Sequence, residues 1–255
     1  MTSVLACNLA SYGAFQDCAY AHLSEIGIQY VEIPCPEPNK VDRVRDGLAQ
    51  HGLQASSVII PCQMDADDVV YRFAHYFEAA QALGVQLAFT SAKTAELDRE
   101  YVYGKLQNVG DEAENRGIVV ALETHPDLVT NGRIGLETMA GVAHPNVRIN
   151  FDTANVYYYN RNVTAEGELA VLSDYVASVH LKDTDGGFES WHFPALGEGV
   201  VDFGACVSLL EASAFTGPLT LELEGIQGEA FSEPLAKSRV EASLTYLSQI
   251  GLIGS

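Results

Sequence analysis

Basic side chains are scarce in this chain: 14 Lys+Arg stand against 34 Asp+Glu, a formal net charge of −20. Such a surface repels phosphate backbones and anionic headgroups, which excludes a general nucleic-acid or membrane-surface binder and leaves a small molecule as the expected partner. Cysteine is sparse as well. The five residues Cys7, Cys18, Cys35, Cys62 and Cys206 are odd in number, far apart and without a CxxC pair, so neither a disulfide framework nor a zinc ribbon is expected. No apolar run reaches the roughly 18 residues of a membrane span. The N-terminal MTSVLACNLASYG carries neither a basic segment nor a long apolar one, and the expectation is a soluble, unprocessed protein of the reducing cytoplasm. A phosphate-cradling loop is missing too. The first strand-like run leads into NLASYGAF, with neither GxGxxG nor a Walker lysine, and GGF at 186–188 and GEG at 197–199 are isolated glycine pairs. A doubly wound nucleotide-binding sheet is therefore disfavoured.

What the sequence does contain is alternation. Short β-prone runs occur at 3–8, 29–34, 55–61, 85–90, 118–124, 146–152, 176–182 and 218–224, separated by segments of helical periodicity, several ending at a glycine: Gly27, Gly52, Gly84 and Gly117. One βα unit per period, repeated eight times without a linker, closes most naturally into a single α/β domain, a (β/α)8 barrel over residues 1–255. The longest interval, 42 residues from Val176 to Pro218, contains TDGGFESWHFPALGEGVVDF (184–203) and is expected to be a long βα loop serving the site.

Side chains of a barrel strand alternate between lumen and helices, so parity assigns the inward face. In PLTLELE the leucines share one parity and Thr220, Glu222 and Glu224 the other. The same test selects Glu123 and His125 after 118, Arg148, Asn150 and Asp152 after 146, and Ser178, His180 and Lys182 after 176. Glu123, Asp152, His180 and Glu222 fall late in four successive strands, where barrel sites form. Three carboxylates converging in a low-dielectric lumen need a compensating cation. A site with three carboxylates, one imidazole and no thiolate favours Mn2+, with Mg2+ or Co2+ as alternatives, over structural zinc. A lumen ion-pair network with Arg148 and Lys182 is the competing account, and Glu224 replaces Glu222 if the register is wrong.

ALETHP (121–126), NFDTAN (150–155), VHLKD (179–183), GEGVVDF (197–203) and GPLTLELEG (217–225) appear in an order and spacing that resemble the xylose-isomerase-like barrel superfamily of sugar isomerases and epimerases. The resemblance implies that Glu123, Asp152, His180 and Glu222 are metal ligands and that Glu123 and Glu222 form an acid/base pair. Ketose 3-epimerases often carry a histidine where this chain has Asn155, and an arginine where it has LKDTDGG. VHLKD looks more like the functionally mixed branch that includes dehydratases.

Further candidates for substrate contact are Glu32, His125, Asn155, Lys182 and His192. Lys182 either binds a substrate oxygen or pairs with Asp183 or Glu224. The tyrosines of NVYYYN (155–160) either pack or wall a sugar ring. The expected function is a divalent-metal-dependent sugar isomerase or epimerase of carbohydrate metabolism, moving a proton next to a carbonyl through an enediolate. A dehydratase of a keto-cyclitol or keto-acid is the alternative, and a non-catalytic metal-bearing barrel or accessory subunit a further one. A homo-oligomer is left open, and so is phosphorylation of the substrate, for which no glycine nest or Arg cluster is seen.

Overall fold

The computed structural model describes residues 3–252; the expected domain span of 1–255 runs past both of these ends. Eight parallel strands close a barrel: β1 (Leu5–Asn8), β2 (Tyr30–Pro34), β3 (Gln54–Ile59), β4 (Leu87–Thr90), β5 (Val119–Glu123), β6 (Val147–Asp152), β7 (Val176–Leu181) and, after a two-residue excursion labelled β8 (His192–Phe193), β9 (Leu219–Leu221). The closure lies between the ends of the chain, where Cys7 of β1 pairs with Val31 on one side and Leu221 on the other. The outer layer comprises α1 (Ala19–Glu25), α2 (Val41–Gln50), α3 (Val69–Ala82), α4 (Arg99–Glu114), α5 (Gly132–Val142), the short α6 (Asn155–Tyr159), α7 (Ala165–Leu172), α8 (Phe203–Ala212) and α9 (Glu233–Gln249). Gly27, Gly52, Gly84 and Gly117, read as helix ends, take φ of +84°, +66°, +75° and +65°, the left-handed conformation that closes a helix C-terminus.

Two differences from the sequence reading bear on the site. The run 218–224 ends as a strand at Leu221, so Glu222 and Glu224 stand on the loop above it. The stretch 184–203, expected to be loop throughout, holds β8, which pairs antiparallel with β10 (Gly225–Ile226) outside the barrel. Strands of two residues carry no periodic signal and form only because the loops after β7 and β9 are neighbours.

The apolar residues divide into two layers. The main core lies between sheet and helices and includes Val31, Val58, Phe73, Phe77, Val120, Ile149, Phe151 and Leu221. A small second cluster of Leu87, Phe89 and Ala121, flanked by Ile59, Val119 and Ala177, fills the lumen. It is a packed floor, and the polar residues stand above it. The ring of Phe89 meets that of His180 edge-on at a centroid distance of 4.8 Å, so the floor also fixes an imidazole.

Truncating this floor leaves a cavity that the closed barrel cannot collapse into. Phe89→Ala is expected to destabilise the protein by about 3–5 kcal/mol in urea unfolding, with Phe89→Leu retaining most of the stability. A loss in Phe89→Ala below about 1 kcal/mol would mean that the lumen is not packed by this ring.

Candidate active site and metal centre

Strand register decides which side chains reach one height. Glu123 pairs with Asn150, two residues before Asp152; Asp152 pairs with His180; and His180 pairs with Thr220, two residues before Glu222. Strands of a closed barrel are tilted and staggered, so stepping up two residues at alternate neighbours keeps a set of side chains level. The four groups offer atoms that all lie within 4.8 Å of one another.

Each ligand-type residue has one atom held by the protein and another turned to a common point. Asp152 Oδ1 accepts the backbone N–H groups of Ala154 at 2.8 Å and Asn155 at 2.9 Å, so the start of α6 orients the carboxylate. Glu222 Oε1 accepts from Asn8 Nδ2 at 2.9 Å. Glu123 Oε2 accepts from Ser91 Oγ and lies 3.0 Å from His125 Nδ1. His180 Nε2 donates to Glu32 Oε1 at 2.9 Å. The remaining atoms converge: His180 Nδ1 lies 3.3 Å from Glu123 Oε1, 3.2 Å from Glu222 Oε2 and 3.9 Å from Asp152 Oδ2.

Buried as it is, His180 Nδ1 makes no directed hydrogen bond. With Nε2 held by Glu32, Nδ1 faces three carboxylates, and once a proton there is displaced it offers a lone pair to a cation among them. The carboxylate-bound imidazole is the usual support of a metal-ligating histidine. The donor set and the orphaned nitrogen therefore fit a divalent metal, and this cluster can hold one.

The electrostatics agree with that fit. Burial raises the Asp152 carboxyl to about 7, only partly opposed by the Lys182 ammonium. Burial acts on Glu123 in the same sense, but the imidazoles of His125 and His180 beside it outweigh burial and bring the group down to about 2. Glu222 is also held low against burial, by His180 and Lys182. Burial disfavours the charged forms of His180 and Lys182, yet the surrounding carboxylates push both well upward. The cluster thus retains protons that a bound cation would displace.

Above the cluster opens a cavity of about 280 Å3 lined by Glu123, Glu222, Glu224, Lys182, His125 and Asn155 on its polar side. Tyr158, Tyr159, Trp191 and Phe193 line it as well, with Trp191 and Phe193 edge-on at 5.2 Å and Tyr158 and Trp191 at 6.1 Å. Lys182 is buried, with Nζ 3.2 Å from Glu222 Oε2, 3.5 Å from Asp152 Oδ2, paired with Glu224, and 4.5 Å from the centroid of Phe193.

Of the sequence-read residues, His125, Asn155 and Lys182 reach the cavity beside the four-residue cluster. Two are not brought to it. Glu32 is fully buried below the cluster, accepting from Asn8, His180 and Ser57. His192 sits on β8 with its neighbours Trp191 and Phe193, but does not line the cavity. Of the two partners considered for Lys182, the structure selects Glu224. Asp183 binds the backbone N–H groups of its own and the following loop instead. Sequence reasoning missed Asn8, which donates to both Glu32 and Glu222; its place at the inward end of the first strand was the available signal. Ser91, just beyond β4, carried none.

A profile of the xylose isomerase-like TIM barrel family matches residues 20–247 of this chain. The L-ribulose-5-phosphate 3-epimerase of Salmonella paratyphi A is 30% identical over 134 residues, which are 51% of this chain and 44% of that protein. The match therefore spans less than half the length of that relative. Among solved structures, D-psicose 3-epimerase with D-tagatose from Clostridium cellulolyticum H10 superposes with a TM-score of 0.78 at 14% identity, covering 97% of this chain and 99% of that one. The probable 3-DHS dehydratase of Bacillus anthracis superposes with a TM-score of 0.73 at 16% identity over 95% and 98% of the two chains. Likeness at such identity is a likeness of fold.

Because ligand groups must shed protons to bind a metal, affinity should rise with pH. The expected outcome is uptake of one Mn2+ per chain with net proton release near neutrality, read by titration calorimetry in buffers of different ionisation enthalpy. His180→Ala should lose the ion under limiting metal; full occupancy in that variant would remove His180 from the site.

Proposed function

Since the chain belongs to the xylose isomerase-like TIM barrel family, we propose that it is a cytoplasmic, divalent-metal-dependent isomerase or epimerase of a small sugar or sugar derivative, with Mn2+ as its ion and the whole of residues 1–255 as one catalytic domain. The observation that carries the reading is the convergence of Glu123 and Glu222, from strands separated around the rim, on one point at the floor of the cavity. Glu123, Asp152, His180 and Glu222 would hold the metal, which when bound supplies a Lewis acid for the oxygens of a hydroxy-ketone and steadies the negative charge of its enediolate.

The protein groups account for the proton movements. A C–H next to a carbonyl is acidified when the carbonyl oxygen is stabilised, and a carboxylate within hydrogen-bond reach removes the proton. With Glu123 and Glu222 addressing opposite faces of one carbon, the ionised one takes the proton, and the other, having first taken a proton from a substrate hydroxyl, delivers it to the far face and inverts the centre; the abstracted proton then returns to that oxygen. Return to the neighbouring carbon gives an aldose–ketose isomerisation instead. Ser91 and His125 hold Glu123 in line, and Asn8 does the same for Glu222. Lys182 and Asn155, whose Oδ1 accepts from Nζ at 3.3 Å, are placed to hydrogen-bond substrate oxygens. The aromatic wall keeps bulk water from the carbanionic centre.

Dehydration of a keto-cyclitol or keto-acid is the second reading, and the Lys182–Glu224 pair at the cavity edge is the observation that favours it. The first proton abstraction is shared, and a cationic side chain beside the substrate can hydrogen-bond a departing hydroxyl and stabilise the charge that develops on it.

Two measurements test these readings. With Mn2+, D2O and a panel of ketoses and keto-cyclitols, deuterium should enter the carbon beside the carbonyl, while the product otherwise keeps the mass of its substrate. Loss of one water would select the dehydratase, and no product and no exchange in metal-loaded protein would sink both. Glu222→Gln should lower kcat by about a hundredfold or more, well beyond the effect of Glu224→Gln, because an amide keeps an oxygen for the metal but cannot take a proton. The reverse order would transfer the proton-handling role to Glu224.

A further inference from the structure

On the reading that Glu123 both ligates the metal and moves a proton, its second oxygen matters as much as the one facing the cluster. That oxygen, Oε2, accepts the hydroxyl of Ser91, which comes from the loop 91–98 between β4 and α4. The place of the hydroxyl therefore depends on the path of the loop, and that path is unfavourable. Ala95 and Glu96 take φ of +53° and +65°, two consecutive L residues in the left-handed region, where Cβ crowds the following carbonyl. Both are exposed, so packing around their side chains does not hold them there. Such a turn persists only where neighbouring contacts impose it.

The contacts come from Asp127. Four residues after Glu123, on the loop 124–131 between β5 and α5, its carboxylate accepts both donors of Thr94: Oδ1 takes the backbone N–H at 2.9 Å, and Oδ2 takes the hydroxyl. Thr94 is buried and directly precedes the two left-handed residues. Past them, the N–H of Leu97 donates back to the Thr94 carbonyl at 3.1 Å, and Arg99, the first residue of α4, donates from Nη2 to the Asp127 carbonyl oxygen at 2.9 Å. The turn is thereby gripped on both sides by one residue. With Ala92 in the main core and Thr94 in the grip, Ser91 is carried to Glu123 on a short, fixed tether.

We propose, resting on that reading, that Asp127 is a positioning residue for the proton transfer: it clamps the loop after β4 in a strained conformation, and the clamped loop presents Ser91 to Glu123. The hydroxyl fixes the Oε2 end of the carboxylate, so that Oε1 keeps its aim at the point it shares with His180 Nδ1. Asp127 is itself outside the four-residue cluster and outside the cavity lining. A carboxylate free to rotate would meet metal and substrate less often, and removal of such outer supports lowers metal affinity or activity by about 10- to 100-fold.

The test is a double-mutant cycle in the Mn2+-loaded full chain, assayed by turnover and exchange in D2O. Ser91→Ala and Asp127→Ala should each lower kcat by about tenfold or more, with KM changed by less than about threefold. The double variant should be no slower than the slower single, because Asp127 acts through Ser91. Losses that multiply, or an unchanged kcat in folded Asp127→Ala, would overturn the inference. Ala95→Gly with Glu96→Gly, which relieves the turn, should leave the wild-type rate unchanged and return about tenfold of what Asp127→Ala loses. A folded triple variant no faster than Asp127→Ala would remove the strained clamp. Should Asp127→Ala not fold, Thr94→Val, which takes the hydroxyl from the other side of the grip, carries the same cycle. If the wild type turns over no substrate, the proposed function fails by itself, and the cycle is read on Mn2+ affinity, where the same pattern of equal single and double losses is expected. A crystal structure of Asp127→Ala decides the point without metal or activity: Ser91 drawn away from Glu123 is the expected result, and Ser91 still against Glu123 overturns the inference.

Discussion

Three carboxylates turned toward one buried imidazole nitrogen form the constraint on which the rest of this structure depends. Charges of one sign in a low-dielectric lumen are tolerated only with counter-charge and hydrogen bonds, and the barrel supplies both in layers. Asn8, Ser91 and the first amides of α6 accommodate the outward-turned oxygens, and Glu32, itself held by Ser57, accepts from the far imidazole nitrogen. What these partners leave over is a set of donor atoms facing inward with one ammonium, that of Lys182, between two of them, the condition for a cation of charge two. Such an ion would add two positive charges to the one that Lys182 shares among Asp152, Glu222 and Glu224.

The apolar floor serves the same end. Leu87, Phe89 and Ala121 close the lumen below the cluster, so the polar groups cannot relax downward and solvent reaches them from one side. Preorganisation of this kind is what lets a carboxylate act on a weakly acidic C–H: the bases are already placed when substrate arrives, and little reorganisation accompanies the developing charge.

Anion management extends beyond the cluster. Glu224 draws on the same Lys182 as Asp152 and Glu222, while Asp183 is enclosed by backbone amides. The loop after β7 therefore has two tasks, to enclose Asp183 and to bring Trp191 and Phe193 over the cavity through the β8–β10 pair. Its length, out of step with the regular βα spacing elsewhere, follows from those tasks.

Which residues face the lumen was legible in the sequence, because alternation along a strand is local and has period two. Glu123, Asp152, His180 and Glu222 were found by parity, and the barrel by the recurrence of βα units with glycine-capped helices. Height and partnership were decided only by the closed tertiary structure. Whether Glu222 or Glu224 joins the cluster depends on the stagger between β7 and β9. The support of Glu222 by Asn8 links residues from opposite ends of the chain, and Glu32 and His192, both near the rim in sequence terms, are drawn below the cluster and off the cavity. Asp183 looked like a partner for the lysine beside it until the loop folded back with its amides. Each of these outcomes depends on segments distant in sequence meeting at a fixed register, and a local period carries no information about that register.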